Sequence, residues 1–458
     1  MKPEPMVNEA AALVISPKMA RALADTRRSR ILMELSVRPL SPSQYVELVG
    51  GGQASRRELT EISRCFRQLA EWGYIEIINT RTGGNRRGGI EHVYRRIQRA
   101  LFDTSVWEGL PRAYRDECSG STLESYIARI GEAVAAGTFD DEIDRHLSWD
   151  IVALDRIAWE ALGSRLDEVL YWLPNLAVEA AGRMAESREE SIPTTVGLSA
   201  FRAPAVPGSQ PPRLSESAEP PAATPFVISA KTAKAVASKW RSRILMELRM
   251  RPMSPTQFAR DLGEGVGGGR RNITRCFSQL AEWGFIEIAE IRTGGRLRSA
   301  EEKIYCLKQP AHFDTATWEK LPRFLREECS GSFLNFYFAR INEAIEAGTF
   351  DAEIDRHLSW DAVALDRLAW KQLSTAADDV LAWLPELDDE AAERMAESGE
   401  EPIPTTVGLT VFRSPKSSEI VLGAKETARK ARTTSNVPWP PPASQSGTKA
   451  PFRNYRSA

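Results

Sequence analysis

The chain has 458 residues, 42% of them hydrophobic and 27% charged, with 60 Lys and Arg against 62 Asp and Glu for a formal net charge of −2. That length suggests about three domains, and no run of residues approaches the roughly eighteen consecutive apolar positions of a membrane-spanning helix. The opening MKPEPMVNEAAALVISPKMARAL is a poor secretory signal, and the five cysteines (Cys65, Cys118, Cys276, Cys306, Cys329) never form a C-x-x-C pair, so a disulfide framework or zinc cluster is disfavoured and a reducing cytoplasm is expected.

After a tail over residues 1–15, a helix is expected from Ser16 to Leu35, with Ile31, Leu32 and Leu35 as its apolar stripe. RPLS stops it, because a proline disfavours helix at the residue before it. Ser41 and Pro42 suit the N-cap and first position of a second short helix, through Tyr45 to Val49, which Gly50, Gly51 and Gly52 end. A third helix is expected from Ser55 to Trp72, with Leu59, Ile62, Phe66 and Leu69 on one face and Gly73 as its stop. The period then changes. Tyr74, Ile75, Ile77 and Ile78 are β-prone, TRTGGNRRGG is a turn or loop, and IEHVYRRI returns as a strand. Between Ser55 and Arg99 stand ten arginines against five glutamates, whereas acids dominate between Asp103 and Glu190. A neutral chain can thus still present one cationic face.

Residues 101–202 read as a helical extension. Pro111 to Gly137 is helical, with CSGS as a candidate interruption. HLSWDIVAL alternates as a strand, DRIAWEALGSRLDEVLYWLPNLAVEAAGRMAES is a long amphipathic helix with a candidate kink at Pro174, and TTVGLSAF is a second strand. Trp107, Trp149, Trp159 and Trp172 are expected in its core. Residues 203–226, rich in Pro, Ser and Ala, read as a flexible linker whose unconstrained span is roughly 25–30 Å.

Everything before the linker then recurs. RSRILMELSVRPLSPSQ from Arg28 returns as RSRILMELRMRPMSPTQ from Arg241, RCFRQLAEWGYIEI from Arg64 as RCFSQLAEWGFIEI from Arg275, and AGTFDDEIDRHLSWDIVALDRIAW from Ala136 as AGTFDAEIDRHLSWDAVALDRLAW from Ala347. The unit of about 200 residues is far longer than a solenoid repeat, so these are complete domains in tandem. The second copy comprises residues 227–311 and its extension 312–413. The two sets of strands are candidates for one shared sheet. Residues 414–458 read as a disordered tail. Within it, VLGAKETARKARTTS faintly echoes the start of the second copy, although an Ala- and Lys-rich solvated segment is the plainer reading.

Three helices followed by a two-stranded hairpin with an Arg- and Gly-rich tip make a winged helix-turn-helix arrangement. SPSQ, ISRCFRQLAEWGYIEI and RTGGNRRGGIEHVYR resemble the ArsR-type winged-helix regulators, over roughly residues 18–99 and 231–308. The later part of each copy bears a looser likeness to the helical extensions of actinobacterial ArsR-like proteins. The expected fold class is therefore mainly α with small β wings (α+β): two winged helix-turn-helix domains, at residues 16–100 and 227–311, each followed by a helical extension containing a candidate strand–helix–strand unit. The resemblance implies a transcriptional regulator that binds double-stranded DNA and works as a dimer.

In such a fold the third helix enters the major groove and the wing touches the backbone. The expected DNA-facing residues of copy one are Arg56, Arg57, Thr60, Ser63, Arg64 and Arg67 on the helix, with Glu61 among them, and Arg81, Arg86 and Arg87 on the wing. Those of copy two are Arg270, Arg271, Asn272, Thr274, Arg275 and Ser278, with Arg292, Arg296 and Arg298 on the wing. Arg can pair bidentately with guanine and Asn with adenine, and glycines let wing arginines approach phosphate. The plain alternative is a solvated charged face. An ArsR-like dimer places its recognition helices in grooves about 34 Å apart, so the fused copies are expected to pair within the chain. Because they differ at Arg67 against Ser278 and Glu61 against Asn272, they can read an asymmetric operator. The alternative from another class is a winged-helix protein–protein interaction scaffold. No metal or cofactor is expected: neither Cys65 nor Cys276 has a second ligand at metal spacing, and Cys65 suits a small half-buried position beside Phe66. DRHLSWD at Asp144 and Asp355 gathers acid, histidine and serine, but strand alternation sends His146 and Ser148 to one face, Leu147 and Trp149 to the other. No nucleophile elbow accompanies it, so a structural or ligand-lining role is expected rather than an enzyme. Whether a small-molecule effector binds the extension is left open.

Overall fold

The computed structural model describes residues 22–50, 55–82, 90–97, 107, 109–204, 235–261, 270–293, 301–308, 318 and 320–415. The N-terminal tail, most of the linker and nearly all of the C-terminal tail expected from sequence lie outside them. No helix among the described residues is long and apolar enough to cross a membrane.

The first head consists of α1 (Thr26–Val37), α2 (Pro42–Gly50), α3 (Arg56–Glu71), β1 (Ile75–Thr82) and β2 (Ile90–Arg96). The helix expected to run from Ser16 is broken before α1. The Asp25 carboxylate accepts from Arg28 N at 3.0 Å and caps a new helix at Thr26, satisfying a donor that has no intrahelical partner. Arg38 is extended, as the residue before Pro39 must be, and ends α1. Leu40 then bridges Tyr94 of β2, with N–H···O distances of 3.0 and 2.9 Å, so the chain between α1 and α2 forms the edge of the hairpin. Ile31, Leu32, Leu35, Tyr45, Phe66, Leu69 and Tyr94 make the head's core. The second head repeats this with α6 (Lys239–Met250), α7 (Pro255–Asp261), α8 (Arg270–Glu282), β5 (Ile286–Thr293) and β6 (Glu301–Leu307).

The body consists of α4 (Arg112–Ala136), β3 (His146–Leu154), α5 (Arg156–Ser187) and β4 (Ile192–Arg202), repeated as α9 (Arg323–Glu346), β7 (His357–Leu365), α10 (Arg367–Ser398) and β8 (Ile403–Arg413). CSGS does not interrupt α4: the Ser119 hydroxyl donates to Arg115 O at 2.8 Å and stays within the helix. Likewise α5 runs 32 residues with Pro174 inside it. The chain is mixed α/β rather than mainly α with small β wings, because the longest strands lie in the body, in the strand–helix–strand units expected of each extension.

Those four strands form one antiparallel sheet in the order β3-β8-β4-β7. Each strand therefore pairs with the other copy. At the centre Leu198 faces Leu409, its own counterpart, and the β3–β8 register of His146 with Val411 recurs as Ala200 with His357 in β4–β7. The arrangement is an isologous interface held within one chain. α5 and α10 cover one face of the sheet through Val152, Leu154, Val196, Leu198, Leu365 and Leu409. α4 and α9 cover the other through Trp149, Ile151, Phe201, Trp360 and Phe412. Trp149 and Trp159 are buried there as expected, Trp172 is partly buried, and Trp107 instead packs into the core of the first head.

Polar contacts between copies come in pairs. Arg394 grips Asp155 at 2.6 and 3.0 Å, and Arg183 grips Asp366 at 2.5 and 3.0 Å. Trp159 Nε1 donates to Asp355 at 2.9 Å and Trp370 Nε1 to Asp144 at 2.8 Å. On the α4/α9 face of the sheet Tyr126 reaches Thr410 and Tyr337 reaches Ser199. The first residues of both segments expected to be loose continue the β4–β8 pairing: Ala203 N donates to Pro404 O and Ser414 N to Pro193 O, each at 2.7 Å.

Candidate nucleic-acid interface

α3 begins where the Ser55 hydroxyl accepts from Glu58 N at 3.1 Å. Its apolar positions Ile62, Cys65, Phe66 and Leu69 recur at helical spacing and are buried. The face left to solvent carries Arg56, Arg57, Thr60, Arg64 and Arg67, all exposed, with Ser63 half-buried at its margin. Thr60 donates to Arg56 O at 2.8 Å. Arg67 Nε makes a long 3.4 Å bond to Ser63 O. Among the described residues Arg56, Arg64 and Arg67 form no ion pair, so three cations stand on one exposed helix face.

Glu61 interrupts that face. It accepts from Arg27 at 2.5 Å and from Arg57 at 3.3 Å, and the Arg27 bond foremost holds its carboxyl below the usual range. Arg57 is thus already engaged by an acid on its own helix.

α8 buries Ile273, Cys276, Phe277 and Leu280 and exposes Asn272, Thr274, Arg275 and Ser278. Arg270 and Arg271 open the helix; their side chains lie outside the described residues. Asn272 stands where α3 has Glu61, and Trp240 where α1 has Arg27, so the acidic clamp of the first head has no counterpart in the second. Both heads brace the third helix alike: Arg28 lies 5.3 Å from the Trp72 ring and bonds Gln68 at 3.3 Å, and Arg241 lies 5.2 Å from the Trp283 ring and bonds Gln279 at 3.1 Å.

On the hairpins, Arg81 is exposed near the end of β1. Arg292 makes two 2.9 Å bonds to Glu290, which raise its pKa. Arg86, Arg87, Arg296 and Arg298 lie outside the described residues. Cys65 and Cys276 have their thiols pushed up chiefly by burial, and no group of three or more His, Cys, Asp or Glu side chains among the described residues could hold a metal ion.

DRHLSWD lies in the body, at the junction of the copies. His146 and Ser148 do share a face: His146 Nε2 is 2.6 Å from Ser148 Oγ. The partner acid comes from the other copy, with Asp378 Oδ1 2.8 Å from His146 Nδ1. His357 repeats the row with Ser359 at 2.7 Å and Asp167 at 3.4 Å. Sequence reasoning missed Asp167 and Asp378 because they sit on the long helices, far from the motif along the chain; only the shared sheet brings them there. Comparison with protein-family models, curated proteins and solved structures finds no match to this chain.

Proposed function

We propose that the chain is a sequence-specific DNA-binding transcriptional regulator, built from two fused ArsR-like winged-helix copies that form an intramolecular pseudo-dimer. In this reading α3 and α8 are recognition helices entering major grooves of one duplex, and the β1–β2 and β5–β6 hairpins are wings on the backbone. The observation that carries the reading is the exposed face of α3, where Arg56, Arg64 and Arg67 form no ion pair among the described residues, matched by Asn272 and Arg275 on α8. Arg64 and Arg275 are equivalent and are assigned to base edges or adjoining phosphates. Arg67 against Ser278, and the clamped Glu61 against Asn272, make the two half-sites different.

One observation favours a second reading, a protein-binding scaffold. Ile77, Ile78 and Ile288 are 50%, 43% and 44% exposed on the hairpin strands, and an apolar wing surface suits a protein partner. Salt separates the two. Binding of genomic fragments by a regulator weakens steeply with salt, with a log–log slope of about −0.9 per phosphate neutralised. Arg64→Ala with Arg275→Ala is expected to abolish preference for the selected fragments; unchanged affinity and salt slope in fluorescence anisotropy would refute the recognition-helix assignment.

A further inference from the structure

Two cavities lie at the open edges of the shared sheet, and both copies wall each of them. The one beside β3, about 200 Å³, is lined by His146, Ser148 and Trp149 of the first copy and by Ser330, Phe333 and Asp378 of the second. The one beside β7, about 120 Å³, is lined by His357 and Trp360 of the second copy and by Thr122 and Tyr171 of the first. Leu23 and Met33 of the first head also line it.

Trp149 and Trp360 occupy equivalent positions, each 3% exposed, and neither indole N–H has a hydrogen-bond partner among the described residues. A buried donor without an acceptor is costly and uncommon in folded proteins. Here the same donor is left so twice, each time beside a cavity. The strand edge adds further polar groups. Ile151 N and Ala153 N donate to Asp150 and Asp388 at 2.7 Å each, so the odd-numbered peptide groups of β3 turn away from β8. Leu147 and Trp149 share that direction, towards the cavity.

Apart from Lys371, exposed at the rim of the β3 cavity, the charged groups of the walls already have partners. Arg145 pairs with Asp140 and stacks 4.4 Å from the Trp318 ring, Asp144 meets Arg367 at 3.4 Å, and Asp378 meets His146. Arg356 pairs with Asp351, and Asp355 with Arg156. The remaining walls mix aromatic and aliphatic side chains with hydroxyls, among them Ser148, Ser330, Ser374 and Thr375 beside β3 and Ser119, Thr122 and Ser359 beside β7, the usual make-up of a small-molecule site.

We propose that these cavities bind a small, uncharged aromatic compound bearing a hydrogen-bond acceptor such as a carbonyl. Its ring lies against the aromatic walls, Phe333 among them beside β3, and its acceptor takes the Trp149 or Trp360 N–H as that indole, itself closed to solvent, turns towards it. In the β7 cavity the occupant touches Met33 on α1, so binding alters the seating of the first head. The binding itself stands apart from the DNA reading; only its use as regulation of DNA binding rests on that reading.

The test uses the full chain with coumarin, a planar uncharged lactone, and naphthalene, of similar shape without the acceptor, in equilibrium-dialysis titrations that read both affinity and the number of sites. Coumarin is expected to bind at two sites and more tightly than naphthalene. Trp149→Phe with Trp360→Phe is expected to weaken coumarin about three- to tenfold, the worth of one hydrogen bond, and to leave naphthalene unchanged. Thr375→Trp, at the exposed rim of the β3 cavity, is expected to reduce the coumarin stoichiometry from two to one without touching the indole pair. Absence of coumarin binding, equal binding of naphthalene, or retention of two coumarin sites in the Thr375 variant overturns the proposal. Hydrogen exchange of α1 amides reads the coupling without DNA: slower exchange with coumarin supports it, and unchanged exchange overturns the coupling alone.

Discussion

A Cβ on Gly197 would collide with the Tyr126 hydroxyl, and one on Gly408 with the Tyr337 ring. Both glycines lie in the central strands, where a glycine ordinarily weakens a sheet. Here each makes room for a tyrosine packed on the α4/α9 face of the sheet, which bonds the opposite copy, and burial pushes the Tyr337 hydroxyl up to about 12. Gly197→Ala or Gly408→Ala is expected to cost about 1–3 kcal/mol in urea unfolding, the range for overfilling a packed core. Gly163, in α5 with nothing near its Cβ position, provides the contrast: Gly163→Ala should raise stability by up to about 1 kcal/mol through helix propensity. The spacing of Ile62, Phe66 and Leu69 already marked which way Arg64 would face. Nothing local marked Gly197 as the place where Tyr126 packs, or Asp378 as the partner of His146, because each pair is far apart along the chain and meets only in the folded sheet.

Among the elements, α5 and α10 do the most to join the copies, and each does so at its first turn. Asp155 accepts from Ala158 N at 2.8 Å as the N-cap of α5 while its oxygens also receive Arg394; Asp366 serves α10 and Arg183 in the same way. The arginine bonds hold both carboxyls below their ordinary value of 3.8. A depressed folded pKa means that this contribution is complete above the unfolded value and is lost as pH falls through the folded one. Thermal melts should therefore hold steady from pH 7 to about pH 4 and decline below it, insofar as these carboxyls govern the response. Asp155→Ala with Asp366→Ala should cost about 1–2 kcal/mol per site from the lost cap alone, whereas Asn replacements keep the cap and flatten the acid response. Helices were legible from period and caps: Ser55 and the Ser41–Pro42 pair mark their starts correctly. The start of α1 was misplaced because Asp25 lies inside an apolar pattern that reads straight through it. The strands were legible from alternation, but not their neighbours, since pairing in the order β3-β8-β4-β7 is set by packing between copies.

At the scale of the whole molecule, neither copy completes a sheet alone, for β3 and β4 of the first copy pair with β8, and β4 also with β7. Residues 1–204 expressed by themselves should therefore associate, with a second molecule supplying the missing strands around the Leu198 pair; light scattering is expected to report a dimer, and a stable monomer would mean that the copies need no partner. The pairing also imposes an order on biosynthesis. When β4 leaves the ribosome, β8 is still some two hundred residues from being made, a delay of roughly 10–40 s at ordinary translation speeds. Through that interval the nascent first half carries unpaired strand edges, the kind of surface that recruits chaperones or a neighbouring chain on the same message. Slowing elongation through the second half would lengthen that exposure and raise the yield of strand-exchanged dimers and aggregates without altering a single residue of the finished protein.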